Sequence, residues 1–384
     1  MKILQLGKFY PIFGGVEKVM WNLTLGFAER GVSCDMLCAY LKGVKVDPEL
    51  EGLAEWVDKR LEIPMGPYGR MIAVPAIAKR AKTMLAPAMI GYLRKHASEY
   101  DIIHIHHPDP MAALALFLSG YKGRVILHWH SDILAQKLLL AFYWPLQKWL
   151  IRRAERIIGT TPVYLRSSKA LKPHQDKVIC VPIGIMPVIY DIKEASAIRN
   201  SVPGQKIIFA LGRLVPYKDF ATLIDAARYL PDDYVVLIGG TGPLKEELTR
   251  QINDNGLQEK VLLLGFLENW EVPSYFGACD LFVLSSDRKT EAFGIVLIEA
   301  MSCGKPIVAT QIPGSGVSWV NVNGLSGYDV QPHDSKGMAE AIQKICSDPD
   351  TYMQFSAGAL ERFETAFTSR EMIDKILKIY ENKI

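Results

Sequence analysis

Short apolar runs rich in β-branched residues alternate with helix-period segments along this 384-residue chain, and nothing else in it restricts the fold as tightly. In the first half the strand-like runs are Ile3–Leu6, Cys34–Ala39, Ile102–His106, Val125–His130, Arg156–Gly159 and Val178–Val181. Helical stretches separate them at Val16–Glu29, Met111–Leu118, Leu138–Arg153 and Tyr164–Leu171. In the second half the runs Ile207–Leu211, Val235–Ile238, Val261–Leu264, Leu281–Leu284 and Ile307–Ala309 alternate with Phe220–Tyr229, Leu244–Asn253, Val272–Gly277 and Ile295–Met301. Such alternation calls for parallel sheets, because a parallel pair needs a crossover and a helix supplies it. The irregular Pro182–Gly204 segment divides the series in two. The expectation is therefore α/β: two doubly wound domains over residues 1–186 and 187–366, their parallel sheets facing an interdomain cleft. A hydrophobic content of 49% is ample for two cores. Residues 367–384 carry apolar positions at helical spacing (Met372, Ile373, Ile376, Leu377, Tyr380) and are expected to pack back on the first domain.

Doubly wound sheets bind ligands beyond the carboxyl ends of their strands, so chemistry is sought in the loops that follow them. The run TEAFGIVLIEAMSCGKPIVAT (Thr290 to Thr310) is the most informative. Phe293-Gly294 is expected to open a helix at Ile295, whose first N–H groups and partial positive charge suit a phosphate. Glu291 and Glu299 flank that point; at about 1.5 Å per residue they stand roughly 12 Å apart if the segment is helical throughout. Carboxylates accept hydrogen bonds from hydroxyls, which a sugar and a ribose supply. The plain alternative is an amphipathic helix with two solvated acids.

Other strand-end loops point the same way. Gly14-Gly15 precedes the first helix and permits close approach of a phosphate or sugar, though the G-x-G-x-x-G spacing is absent. Gly212-Arg213 and Lys218 can place two cations on one anion and stabilise a departing diphosphate. Gly240 and Gly242 form a third glycine-rich turn, a candidate phosphate or ribose contact. Five of the eight histidines lie between positions 104 and 130. By period-two alternation His104 pairs with His106, and His128 with His130, on a strand face. Such a cluster is either a metal site or a set of buried, hydrogen-bonded rings; His130 is the one favoured to polarise a reacting centre or orient a sugar hydroxyl. Asp348-Pro349-Asp350 has the D-x-D form of a metal motif but sits in a polar surface stretch, where chance explains it. The six cysteines lack metal-ligand spacing and fit buried thiols in a reducing, cytoplasmic setting.

Charge is unevenly distributed. Residues 1–170 hold 23 lysines and arginines against 14 acids, and the remainder 21 against 27. Phe142, Trp144 and Trp149 interleave with Lys148, Arg152, Arg153 and Arg156, a pattern suited to the surface of an anionic membrane. No nucleic-acid-binding motif accompanies the charge, and no apolar run is long enough to cross a bilayer.

Taken in order, these segments resemble glycosyltransferase family 4, the retaining nucleotide-sugar transferases of GT-B fold with two Rossmann-like domains. GGVEKV (Gly14 to Val19) resembles the family's first glycine loop. HIHHPDPMAAL (His104 to Leu114) and HWHSD (His128 to Asp132) resemble its first-domain strand ends. GRLVPYKD (Gly212 to Asp219) resembles its G-R-x-x-x-x-K element, and EAFGIVLIE (Glu291 to Glu299) its paired-glutamate signature. The resemblance implies that Arg213 and Lys218 bind the donor diphosphate with backbone N–H groups near Phe293-Gly294. It implies that Glu299 holds the ribose, Glu291 the sugar hydroxyls, and His130 a place by the anomeric carbon, with Gly14-Gly15 leaving room for the donor. No metal or other cofactor is implied. Where family members often carry Asn-Gly-Ile-Asp, this chain has Ile183-Gly184-Ile185-Met186, so no polar role is carried over there.

The function expected is transfer of a hexose from a UDP- or GDP-sugar, with retention, to a glycan acceptor. The acceptor is expected to be lipid-linked, in cell-surface polysaccharide biosynthesis at the inner face of the plasma membrane. Two alternatives share the architecture: a nucleotide-sugar epimerase or hydrolase, and a non-catalytic glycan- or nucleotide-binding protein.

Overall fold

The computed structural model describes residues 1–12, 15–48, 50–80, 83–133 and 137–383. The chain forms two compact units: Met1–Gly184 with Ser369–Ile384, and Ile185–Thr368. Where it leaves and re-enters the second unit, Ile185 N–H donates to the Phe367 carbonyl at 2.9 Å.

The first unit is built on the strands β1 (Lys2–Phe9), β2 (Ser33–Leu41), β3 (Glu55–Val57), β4 (Arg60–Pro64), β5 (Arg70–Ala76), β6 (Ala78–Arg80), β7 (Thr83–Leu85), β8 (Ile102–His107), β9 (Arg124–Trp129), β10 (Arg156–Gly159) and β11 (Val178–Cys180). Nine of them make one sheet in the order β11-β10-β9-β8-β1-β2-β5-β4-β3, and β6 pairs only with β7. From β11 to β5 the sheet is parallel; β4 and β3 extend its edge antiparallel. Every residue of β8 is buried, as a parallel strand covered on both faces requires. Chain order reverses between β1 and β8, the switch point of this sheet.

The C-terminal helix Ser369–Tyr380 belongs to this unit. It lies on helix Gly15–Glu29: a Cβ on Gly26 would stand 2.1 Å from Ile373 Cδ1, so the glycine makes the space for that side chain. Tyr380 is buried against Phe27 with ring centroids 5.5 Å apart, and its carbonyl accepts from Arg124 Nη1 at 2.6 Å.

The second unit carries β12 (Lys206–Leu211), β13 (Tyr234–Gly239), β14 (Val261–Gly265), β15 (Leu281–Leu284), β16 (Ile307–Thr310) and β17 (Gly327–Val330). They form one parallel sheet, β14-β13-β12-β15-β16-β17, whose order reverses between β12 and β15. Helices Phe220–Ala227 and Ser335–Cys346 close one core with Ile208, Val236, Ile238 and Val308.

Several elements differ from the sequence reading. The helix expected over Tyr164–Leu171 ends at Ser167, because Ser168 turns extended (φ −74°, ψ 115°) before a 3₁₀ segment at Lys172–Lys177. Strands β3 to β7, β17 and helices Pro87–His96, Ser335–Cys346 and Pro349–Ala366 were not anticipated. Among the described residues no helix is long and apolar enough to cross a membrane.

Candidate functional site

In the second unit the loop after β12 runs Gly212 to Asp219 and is held from two sides. Gly212 N–H donates to Gly239 O at 3.0 Å and Leu214 N–H to Thr241 O at 2.9 Å, which ties it to the turn after β13. On the other side, Asp287 N–H donates to Tyr217 O at 3.0 Å and Ser285 Oγ–H to Lys218 O at 2.8 Å, tying it to the loop after β15. The cation-bearing segment therefore stands at the topological switch point, where this architecture binds ligands.

Those ties explain the glycines. Gly240 has φ +133°, and a Cβ there would lie 1.9 Å from Gly212 O; on Gly242 it would lie 2.3 Å from Leu214 O. Both positions thus serve the close approach of two backbone loops, a role the sequence could not separate from ligand contact.

Lys218 Nζ forms an ion pair with Glu291 Oε2 at 2.5 Å, with side-chain exposures of 11% and 13%. Burial works against the ammonium, but Glu291 and then Tyr217 outweigh it and hold the Lys218 pKa above its ordinary value. Ser286 Oγ adds a hydrogen bond to Glu291 Oε2 at 3.3 Å, and Ser315 Oγ donates to the Glu291 carbonyl. Arg213 is exposed, and no hydrogen bond or ion pair to its side chain occurs among the described residues. Its like charge repels the Lys218 ammonium and pulls that pKa slightly down, so the two cations are within electrostatic reach of each other.

The Glu291–Glu299 segment is not helical throughout, which corrects the spacing argument. Helix Ile295–Ser302 is capped by Gly294 at φ +80°, ψ 65°, and Glu291 to Phe293 lie in the preceding loop. Only Gly takes such a backbone angle freely, so the helix start is fixed at this residue. Ile295 is its first residue; Leu297 N–H already donates to the Gly294 carbonyl at 2.9 Å, which leaves the N–H groups of Ile295 and Val296 as those without an intrahelical acceptor. Phe293 is buried edge-on against Phe367, centroids 5.8 Å apart, leaving its backbone as the part able to meet a ligand. Glu299 stands half-buried on the same helix.

Sequence reasoning missed Ser285, Ser286 and Asp287, which brace the Lys218–Glu291 pair. The strand-end rule would have found them, since they follow Leu284 directly. It also missed His333, whose Nδ1 is 2.9 Å from Asp219 Oδ2 and whose Nε2 is 3.6 Å from Asp287 Oδ2.

In the first unit, Gly14 lies outside the described residues, and Gly15 is the exposed first residue of helix Gly15–Glu29. His130 stands one residue past β9 and is 5% exposed. Its ring stacks on His128 with centroids 4.1 Å apart at 16°, and lies nearly coplanar with His106, centroids 5.1 Å apart at 13°, joined to it edge to edge by the 2.8 Å bond between His106 Nδ1 and His130 Nε2. Burial holds His104, His106 and His130 well below the ordinary histidine range and pushes His128 down to about 3, so all four rings are neutral at pH 7. His104, His106 and His128 offer nitrogens within 4.8 Å of one another. Yet both His106 nitrogens are engaged, by Gln5 Oε1 at 2.7 Å and His130 Nε2 at 2.8 Å. Both His128 nitrogens and His104 Nε2 are buried without a hydrogen-bond partner among the described residues.

The aromatic–cationic stretch lies in helix Lys137–Arg153. Phe142, Trp144, Lys148 and Arg152 are exposed, with Phe142 at 86%. Arg153, expected on that surface, instead donates to the Tyr121 carbonyl at 3.3 Å and to that of Gly123, and Trp149 packs on Phe117 at 5.0 Å.

Comparison with known proteins agrees with this arrangement. Residues 13–187 match the family model Glycosyltransferase Family 4 and residues 191–362 match Glycosyl transferases group 1. The O-antigen chain mannosyltransferase C of Escherichia coli is 30% identical over 99% of this chain and 98% of its own length. The D-rhamnosyltransferase WbpZ of Pseudomonas aeruginosa is 26% identical over 96% and 93%. Among solved structures, sucrose-phosphate synthase from Thermosynechococcus elongatus superposes with a TM-score of 0.78 at 19% identity, covering 100% of this chain and 99% of its own. Anabaena HepE in complex with UDP and glucose gives 0.76 at 22%, with full coverage of both chains. The fold is thus that of the GT-B glycosyltransferases, and the chain belongs to glycosyltransferase family 4 and is a glycosyltransferase.

Proposed function

We propose that this enzyme moves a hexose, with retention of anomeric configuration, from a UDP- or GDP-sugar to a hydroxyl of a lipid-linked glycan in cell-surface polysaccharide assembly. The observation that carries the reading is the gathering of Arg213, Lys218 and Glu291 on loops at the second unit's switch point.

In this reading the donor diphosphate takes the two cations, with the first N–H groups of helix Ile295–Ser302 as further donors. Glu291 turns to the sugar hydroxyls and Glu299 to the ribose. Gly212, Gly240 and Gly242 shape the loop that presents Arg213. His130 accepts a hydrogen bond from a substrate hydroxyl. The acceptor oxygen forms its bond to the anomeric carbon on the face the diphosphate leaves. The breaking bond's electron pair goes to the β-phosphate oxygen, which takes the acceptor's proton. The cations neutralise the charge that develops, and no metal is required.

The relatives' names, a mannosyltransferase and a rhamnosyltransferase, support a hexose and a polysaccharide setting, and HepE's UDP complex supports a nucleotide donor. The exposed face of Phe142, Trp144, Lys148 and Arg152 supports contact with an anionic membrane at its cytoplasmic side. The test is incubation with UDP-glucose, UDP-galactose and GDP-mannose, each with and without lipid-linked glycan extracted from membranes. Acceptor-dependent transfer with the donor's anomeric configuration is expected. Acceptor-independent release of free sugar would make the enzyme a hydrolase or epimerase instead.

A further inference from the structure

Gln5 on β1, His106 on β8 and His130 beyond β9 form one line of hydrogen bonds across three adjacent strands. All three are buried, and Gln5 is fully so. His106 Nε2 lies 2.7 Å from Gln5 Oε1, and His106 Nδ1 lies 2.8 Å from His130 Nε2. Gln5 Nε2 faces the other way, 3.4 Å from Tyr380 Oη and 3.9 Å from Cys34 Sγ, both able to accept. The last atom of the line, His130 Nδ1, is buried without a hydrogen-bond partner among the described residues.

The direction of every bond follows from one end. An amide oxygen only accepts, so His106 Nε2 carries its ring's proton. His106 is neutral, and its Nδ1 is therefore a lone pair that accepts from His130 Nε2–H. His130, also neutral, is left with a bare Nδ1. His104 Nε2 and both nitrogens of His107 and His128 are likewise buried without partners among the described residues; His130 Nδ1 differs in that the bonds on the far side of its ring fix it as a lone pair, ready for a ligand hydroxyl.

We infer that Gln5 and His106 are positioning residues that lock His130 in the Nε2–H tautomer and hold its Nδ1 lone pair for a substrate hydroxyl. The His128 ring stacked on His130 and the edge-to-edge bond from His106 fix the plane of His130, so the lone pair has a set direction as well. This rests on the reading of His130 as a substrate contact, and the test separates the two.

The full-length protein labelled with 15N-histidine is observed at pH 7 by long-range proton–nitrogen correlation, His130 being identified by the signals lost in His130→Gln. A protonated Nε2 and bare Nδ1 are expected. A proton on Nδ1, as a reversed Gln5 amide would impose, overturns the inference. Gln5→Leu should leave both rings as tautomer mixtures, and a fixed His130 in that variant also overturns it.

Kinetics use whichever of UDP-glucose, UDP-galactose and GDP-mannose is turned over fastest. His106→Phe should lower kcat on the order of tenfold with little change in donor KM. His106→Asn, whose carboxamide can accept where Nδ1 stood, should recover most of it. If His130→Gln is slow and His106→Phe is not, the positioning claim fails alone. If His130→Gln turns over at the wild-type rate, the substrate contact itself fails.

Discussion

The Lys218 ammonium lies 2.5 Å from the Glu291 carboxylate, although 73 residues separate them and both are nearly buried. Each neutralises the other and so keeps a charge inside without a large cost. In the proposed cycle a diphosphate takes the lysine and a sugar hydroxyl the glutamate, so the site exchanges one set of partners for another.

Breaking that pair from one side should be worse than removing it. Among the described residues Lys218→Met leaves the carboxylate with a hydrogen bond from Ser286 alone, and should lower unfolding stability by about 3 kcal/mol. Lys218→Met/Glu291→Gln should recover most of that in urea denaturation. Turnover should fall on the order of 10²-fold in both variants, because the charge that meets the leaving group is absent in both. A double variant restored in rate as well as stability would show the pair to be structural only.

Gly240→Ala asks an L residue to take φ +133° and sets a methyl 1.9 Å from Gly212 O. The loop carrying Arg213 must shift or the residue must strain, at about 1–3 kcal/mol. Lower stability together with weaker nucleotide binding is expected by calorimetry. Unchanged UDP and GDP affinity would separate this turn from the site.

Acid should destabilise the first unit through its buried histidines His104, His106, His107, His128 and His130. Their folded pKa values lie below the ordinary histidine value of 6.5, at about 3 for His107 and His128. Below pH 6.5 the unfolded chain then binds more protons, so stability is full above that pH and is lost as pH falls toward 3. Each such ring accounts for about 2 kcal/mol between pH 7 and pH 5. A Tm that is flat across that interval would contradict the neutral stack.

Membrane contact should reside in side chains that the fold leaves exposed. Phe142→Ser/Trp144→Ser with Lys148→Gln/Arg152→Gln should abolish flotation with vesicles containing anionic phosphatidylglycerol and leave soluble activity intact. Arg153 is held by the Tyr121 and Gly123 carbonyls and is the wrong residue to neutralise. Unchanged flotation of the fourfold variant would remove this helix from the interaction.

Most parallel strands were legible because burial on both faces leaves continuous apolar runs such as Val235–Ile238; β5 was not, although Met71–Val74 is such a run, because Pro75 inside the strand reads as a break. The edge was not: Glu55-Trp56-Val57 is exposed at every position, and β17 is four residues that include Gly327 and Asp329. Neither carries an apolar run or an alternation to detect. Arg213, Lys218 and Glu291 were legible one by one as strand-end residues. Their pairing was not, because it depends on how the loops after β12 and β15 close on each other. Gln5 gave no signal at all; a polar residue inside a strand shows its role only once neighbouring strands are in register.

Isothermal titration of UDP and GDP into wild-type enzyme and into Arg213→Ala and Lys218→Ala variants tests the site most directly. One of the two nucleotides should bind the wild type, with affinity falling at least tenfold in each variant, about 1.4 kcal/mol. Affinity unchanged by either substitution, or no binding of any nucleoside diphosphate to the wild type, would contradict the account.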